Sequence, residues 1–91
     1  MTSEIRHALL DMRVECLTLR NTIHRFLREQ SVPSNDLIAG MKLTERLNRV
    51  IAYCDATAEL DEVDLQYISD ITTYADVMIT SATKLLEGWQ I

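Results

Sequence analysis

The chain has 91 residues, of which 47% are hydrophobic and 25% charged, and its formal net charge is −5. This composition excludes a disordered chain, and no apolar run approaches the ~20 residues that span a bilayer. The first residues lack the charged, then apolar, then small-residue order of a signal peptide, because Glu4 follows at once. We therefore expect one domain, residues 1–91, in the cytoplasm.

The first predicted helix covers about residues 4–30, and Thr2 or Ser3 can cap its start. Its apolar residues are stepped by four and three, a spacing that averages 3.5 residues and keeps one side of a helix facing a partner helix. We call such a side the seam of the helix. The seam consists of Ile5, Leu9, Met12, Cys16, Leu19, Ile23 and Phe26.

The second predicted helix covers about residues 36–54. It follows a turn at 31–36 that contains the only proline, Pro33, among residues that favour turns and caps. Gly40 lies on the line of its seam, and we expect another backbone to come close there. The seam itself is Leu43, Leu47, Val50 and Cys54.

The third predicted helix covers about residues 61–89, after a loop at 55–60, and Asp61 can cap it. Its seam is Ile68, Ile71, Ala75, Met78, Ala82, Leu85 and Trp89. Short connections make successive helices antiparallel. The sequence therefore predicts an all-α fold, a three-helix up-down-up bundle with two long coiled-coil-like helices.

Apolar residues beyond the seams predict self-association. Leu10 and Leu17 flank the first seam, and the residues flanking the third are Leu65, Ile79, Leu86, Tyr67 and Tyr74. Three helices do not easily cover all of these side chains, so we expect a homo-oligomer, either a dimer or a tetramer. The alternative is a monomer, in which the stems of arginine side chains and the aromatic rings cover these apolar residues.

Three arginines recur at intervals of seven on the first helix: Arg6, Arg13 and Arg20. Such a ladder can bind phosphate or carboxylate groups. The other interpretation is flanking charge of a coiled coil, in which Glu15 pairs with Arg20 of a second chain. Trp89, near the C-terminal Ile91, either closes the bundle or anchors a partner.

The charge is unevenly distributed along the chain. Residues 51–91 contain Lys84 as their single cation against eight acidic side chains. DNA binding requires several cations on one face, so this distribution argues against nucleic acid as a direct ligand. It favours a protein partner with a basic surface.

The cysteines and histidines do not indicate a metal or cofactor site. Cys16 and Cys54 lie on seams, where a reduced thiol packs as a small hydrophobic group, and we expect both to be buried and unpaired. Their spacings from His7 and His24 match no common pair of zinc ligands. We therefore expect neither a metal nor a cofactor.

In size and helix number the chain is similar to the all-helical chorismate mutases. That family implies cationic side chains directed into the bundle to hold a dicarboxylate. The seams of the two long helices contain no charged residue, and only Lys42, Arg46 and Arg49 on the second helix could take this part. The sequence therefore predicts no enzyme.

The function that we expect is protein binding. The chain is predicted to be a small regulator or inhibitor that sequesters a partner, such as a DNA-binding repressor, in the manner of an antirepressor. The candidate interaction residues are Arg6, Arg13, Arg20, Leu10, Leu17, Tyr67, Tyr74 and Trp89. Two alternatives stay open: a transcription regulator with a helix-turn-helix between Arg25 and Arg49, and a secretion chaperone.

Overall fold

Three α-helices make up most of the chain in the computed structural model, which describes residues 2–29 and 32–90. The helices are α1 (Ser3–Arg28), α2 (Leu37–Ala58) and α3 (Leu65–Trp89), and one 3-10 turn (Ser34–Asp36) precedes α2. No strand occurs in these two ranges. The predicted all-α class with three helices is confirmed. The predicted end of the first helix at Gln30, Ser31 in the turn, and Ile91 lie outside the described residues.

The start of α1 follows the prediction. The Thr2 hydroxyl accepts a hydrogen bond of 3.2 Å from the backbone N–H of Ile5, which satisfies one of the amides that lack a partner at a helix start. Glu4 lies in the first turn, where a negative charge is favourable.

The connection between α2 and α3 differs from the prediction. Helix α2 continues to Ala58 rather than ending near residue 54, and α3 begins at Leu65 rather than at 61. Asp64, not Asp61, is the cap, because its carboxylate accepts a bond of 2.9 Å from the N–H of Gln66. Several acidic residues in succession could each cap a helix, and the sequence alone did not distinguish among them.

The core of the bundle is formed by the three seams. Every seam residue in α1, α2 and α3 is buried or half-buried. Two threonines share this interior, Thr44 and Thr57, and each hydroxyl donates to the backbone carbonyl four residues earlier. Such bonds allow a hydroxyl to enter an apolar core without losing its hydrogen bonding.

Helices α1 and α2 run antiparallel along their whole lengths. Arg13 of α1 contacts Asp55 of α2, and Arg20 contacts Asn48, so later residues of α1 meet earlier residues of α2. Helix α3 is likewise antiparallel to α2, because the ring of Tyr74 lies 6.4 Å from that of Tyr53, whereas the later Trp89 lies beside the earlier Gly40. The result is a rod of 44 × 18 × 18 Å. Within the described residues, no helix combines the length and apolarity needed to cross a bilayer.

Gly40 makes room for a side chain and not for a backbone, contrary to the expectation from the sequence. A Cβ at this position would lie 3.0 Å from Cη2 of Trp89 and 3.2 Å from Cδ2 of Leu27. The missing side chain therefore admits the indole ring into the end of the bundle.

The bundle covers more of its flanking apolar residues than expected. Leu86 is buried, and Leu17 and Ile79 are half-buried against the core. Leu65 and Tyr67 stay exposed, as does Leu10. Of these flanking residues, only some therefore remain at the surface, and other large apolar side chains, among them Val14, Ile38 and Val77, are exposed beside them.

Candidate interaction surfaces

One exposed apolar strip runs along α1, and its N-terminal part lies beside α2. It consists of Leu10, Val14 and Leu17, which we call the α1 stripe. Leu10 is 55% exposed and Val14 is 51% exposed, whereas Leu17 is half-buried. Val14 was not among the predicted residues, although its spacing of four and three from the two leucines marks one helix face.

The N-terminal end of the α1 stripe borders a shallow groove of about 280 Å³ between α1 and α2. Arg6, Leu10 and Arg13 line it from α1, and Asp55 lines it from α2. The groove thus brings together three of the predicted interaction residues.

The arginine ladder is largely engaged within the chain. Nε of Arg13 lies 2.6 Å from Oδ1 of Asp55. Arg20 donates 2.8 Å to the Asn48 side chain and also contacts Asn21. Arg6 is exposed. Two of the three guanidinium groups therefore join α1 to α2, and only Arg6 lacks such a contact among the described residues.

A second exposed strip lies between α2 and α3. Tyr53, Tyr67 and Tyr74 surround an apolar groove of about 220 Å³, together with Asp70 and Ile71. We call it the tyrosine groove. Tyr53 was missed in the sequence because it lies off the α2 seam, and it supplies the ring that contacts Tyr74 edge-on.

The same side of the rod becomes basic toward its other end. A groove of about 490 Å³ there is lined by Ile38, Lys42 and Arg46 of α2 and by Ser81 of α3. Ile38 is 65% exposed. Aromatic and basic side chains therefore follow one another along a single face.

Trp89 lies apart from both strips and closes one end of the bundle. Its Nε1 donates a bond of 3.0 Å to Oδ2 of Asp36, and its ring centroid is 5.7 Å from that of Phe26. The eight predicted interaction residues thus fall at three places: five along α1, two in the tyrosine groove and one at this end.

Charge is divided between the two ends of the rod. One half carries eight carboxylates and two arginines, a net charge of −6, and the other carries six carboxylates and seven cations, a net charge of +1. The acidic half comprises residues 2–14 and 52–72, and the other half comprises residues 15–29, 32–51 and 73–90. The bundle is therefore electrostatically dipolar along its 44 Å axis.

The two cysteines lie in the core, whereas the two histidines lie at the surface. Cys16 and Cys54 are buried and unpaired, as expected. Burial, followed by the nearby Cys54 and Glu15, raises the pKa of the Cys16 thiol to about 11, so it stays protonated at neutral pH. His7 and His24 are both exposed. Across the part of the chain that the structure describes, no three His, Cys, Asp or Glu residues could hold a metal ion.

The basic residues of α2 do not belong to a helix-turn-helix. In that motif two helices cross at about 90–120° after a short turn, whereas α1 and α2 lie side by side from Arg13–Asp55 to Arg20–Asn48. Their geometry is that of neighbours in a bundle.

The fold defines the class of this protein as an all-α protein with three helices. Comparison with known proteins finds no matching family model, no matching curated protein and no matching solved structure.

Proposed function

We propose that the chain is a non-enzymatic helical module that binds another protein through the α1 stripe. The observation that supports this proposal is the exposure of Leu10 and Val14 on a bundle whose seams are already filled. Neither side chain is needed to complete the core. Apolar residues at i, i+4 and i+7 on one helix face are a common way for helices to contact a partner.

The charge around the α1 stripe favours a positively charged partner. Leu10 and Val14 lie in the half of the rod whose net charge is −6. Such a field accelerates the encounter with a basic protein and disfavours an acidic one. DNA-binding repressors have basic surfaces of this kind, and the proposed mechanism is occlusion: the bound module prevents the repressor from reaching DNA. We expect it to act in the cytoplasm, where Cys16 and Cys54 stay reduced.

A pull-down from the native host tests the proposal. The bait is the tagged chain, with a Leu10→Ser, Val14→Ser double variant beside it. The matched control is Leu65→Ser, because Leu65 is 71% exposed and lies in the same acidic half but on another helix. All three baits should have the same circular dichroism spectrum, because these side chains are largely exposed.

We expect the wild type and the Leu65→Ser control to capture one protein near stoichiometrically, and the double variant to lose it. The captured protein is then purified, and its DNA binding is measured with and without the module. Affinity for the module should fall as salt rises, since exposed charges are screened. Capture of the same protein by the double variant, or recovery of the bait alone, would refute the proposal.

A further inference from the structure

We infer that two copies of this chain pair side by side in opposite directions through the α2–α3 face, with Val77 on the two-fold axis. The residues of this face that carry the inference are Arg46, Tyr53, Asp70, Tyr74, Val77 and Lys84. The α1 stripe lies on a different side of the rod. The inference is therefore independent of the proposed partner surface, and each can fail without the other.

The middle of the α2–α3 face exposes apolar and aromatic side chains. Val77 is 53% exposed and Tyr53 is 43% exposed. Val77 lies three residues after Tyr74 and seven after Asp70 on α3, and both of those residues line the tyrosine groove with Tyr53. One side of a rod of 44 × 18 Å offers roughly 800 Å², which is the area that each partner contributes to a standard protein interface. The face is thus large enough for a stable dimer.

The charges determine the relative direction of the two copies. Two-fold symmetry brings the same face of each copy together, either with like ends adjacent or with opposite ends adjacent. The first arrangement places a half of net charge −6 on another such half, which is repulsive. The second places each acidic half on the half of net charge +1. Charge complementarity therefore selects the antiparallel arrangement.

The spacing along α3 sets the register. Asp70 and Lys84 each lie seven residues from Val77, on opposite sides, and all three are exposed. Seven residues are two helical turns, about 10.5 Å along the axis. If Val77 faces Val77 of the second copy, Asp70 of each copy meets Lys84 of the other. The symmetry makes this ion pair twice, and Lys84 makes no ion pair within the described part of its own chain.

Helix α2 fits the same register. The contact of Tyr53 with Tyr74 places residue 50 of α2 level with residue 77 of α3. The two-fold axis therefore passes at the level of Val50. Tyr53 lies three residues after Val50, on one side of the axis, and Arg46 lies four residues before it, on the other side. In the antiparallel pair the Arg46 guanidinium of one copy reaches the Tyr53 ring of the second copy, a favourable cation–π arrangement.

Charge reversal tests the register. Sedimentation equilibrium gives the dimer dissociation constant of the full chain and of three variants, Asp70→Lys, Lys84→Asp and the double reversal. Each single reversal creates two like-charge contacts per dimer and should raise the constant about tenfold, whereas the double reversal should return it to within about threefold. Asp76→Lys is the control, because Asp76 is exposed on α3 outside this face, and it should leave the constant unchanged.

Cross-linking tests the axis. Val77→Cys should form a disulfide-linked dimer in oxidised glutathione, because two-fold symmetry brings the new thiols together. Val14→Cys is the matched control: Val14 is 51% exposed and lies on the α1 stripe. The native Cys16 and Cys54 are buried and stay out of the reaction. Three results would overturn the inference. The wild-type chain could stay monomeric at a concentration 100-fold above that used for sedimentation, or the double reversal could fail to restore pairing. The third is stronger cross-linking of Val14→Cys than of Val77→Cys.

Discussion

The indole nitrogen of Trp89 donates a hydrogen bond of 3.0 Å to the carboxylate of Asp36, which lies 53 residues earlier in the chain. This bond joins the end of α3 to the turn that begins α2. The indole ring occupies the space left by Gly40 and packs near Phe26. One side chain therefore brings all three helices together at this end of the rod.

The indole of Trp89 should stabilise the bundle through both its hydrogen bond and its packing, and two substitutions separate these contributions. Trp89→Phe keeps an aromatic ring but loses the hydrogen bond to Asp36, and should lower the free energy of unfolding by about 1 kcal/mol. Trp89→Ala also loses the packing and should lower it by about 3 kcal/mol. Urea unfolding followed by circular dichroism measures both. If Trp89→Phe and Asp36→Ala were additive in the double variant, the hydrogen bond would not contribute to stability.

The two glycines should respond in opposite ways to alanine. Alanine favours a helix over glycine by about 1 kcal/mol. At Gly88 nothing lies within 4 Å of an added Cβ, so Gly88→Ala should raise stability by about 0.5 kcal/mol near the helix end. At Gly40 the added Cβ would lie 3.0 Å from the Trp89 ring, which is held by Asp36.

Gly40→Ala should therefore lower the free energy of unfolding by about 1 kcal/mol, because the overpacking exceeds the gain in helix propensity. Thermal unfolding of the two variants beside the wild type provides the comparison. A stabilising Gly40→Ala would mean that the indole moves aside at little cost, and the close packing at this end would then not contribute to stability.

Most of the core could be predicted from the 3.5-residue spacing alone. Every residue of the three seams is buried or half-buried, including Cys16, Ala75 and Trp89. A helix seam is determined by local periodicity, which the sequence contains in full. The predicted three-helix architecture follows from the same signal.

The interaction surfaces were less predictable, because exposure depends on how the helices pack. Leu17 and Leu10 have the same spacing to the α1 seam, yet Leu17 packs on the core and Leu10 is exposed. Tyr53 lies off the α2 seam, and its proximity to Tyr74 appears only when α2 and α3 are placed together. Helix ends also depend on such contacts: α2 gains its last turn, in which Thr57 is fully buried.

The buried side chain of Thr57 carries a hydroxyl and a methyl group, and two substitutions separate their contributions to the free energy of unfolding. Its hydroxyl donates 2.6 Å to the Tyr53 carbonyl, which lies inside the helix and keeps a backbone partner without it. Thr57→Val should therefore raise the free energy of unfolding by about 0.5 kcal/mol, whereas Thr57→Ser, which loses the methyl, should lower it by about 1 kcal/mol. Chemical denaturation decides: the reverse order would mean that the hydroxyl, and not the methyl, stabilises the end of α2.

Cys16 should make the bundle less stable at alkaline pH. Burial, with a smaller effect of Cys54 and Glu15, raises the pKa of its thiol from 9.0 to about 11. Above pH 9 the unfolded chain therefore loses this proton while the folded chain keeps it, and ionisation favours unfolding. The stabilisation is complete below pH 9 and is lost as the pH rises toward 11, by about 2.7 kcal/mol in total.

The contribution of Cys16 can be separated from that of other groups by comparing the wild type with Cys16→Ala. Cys54, whose pKa is also raised by burial, and every other ionisable group are present in both proteins, so their contributions cancel in the difference. We expect urea unfolding at pH 8, 9 and 10 to give a wild-type stability that falls more steeply with pH than that of Cys16→Ala. Parallel pH dependences in the two proteins would mean that the Cys16 thiol ionises as easily in the folded chain as in the unfolded one, which its complete burial makes unfavourable.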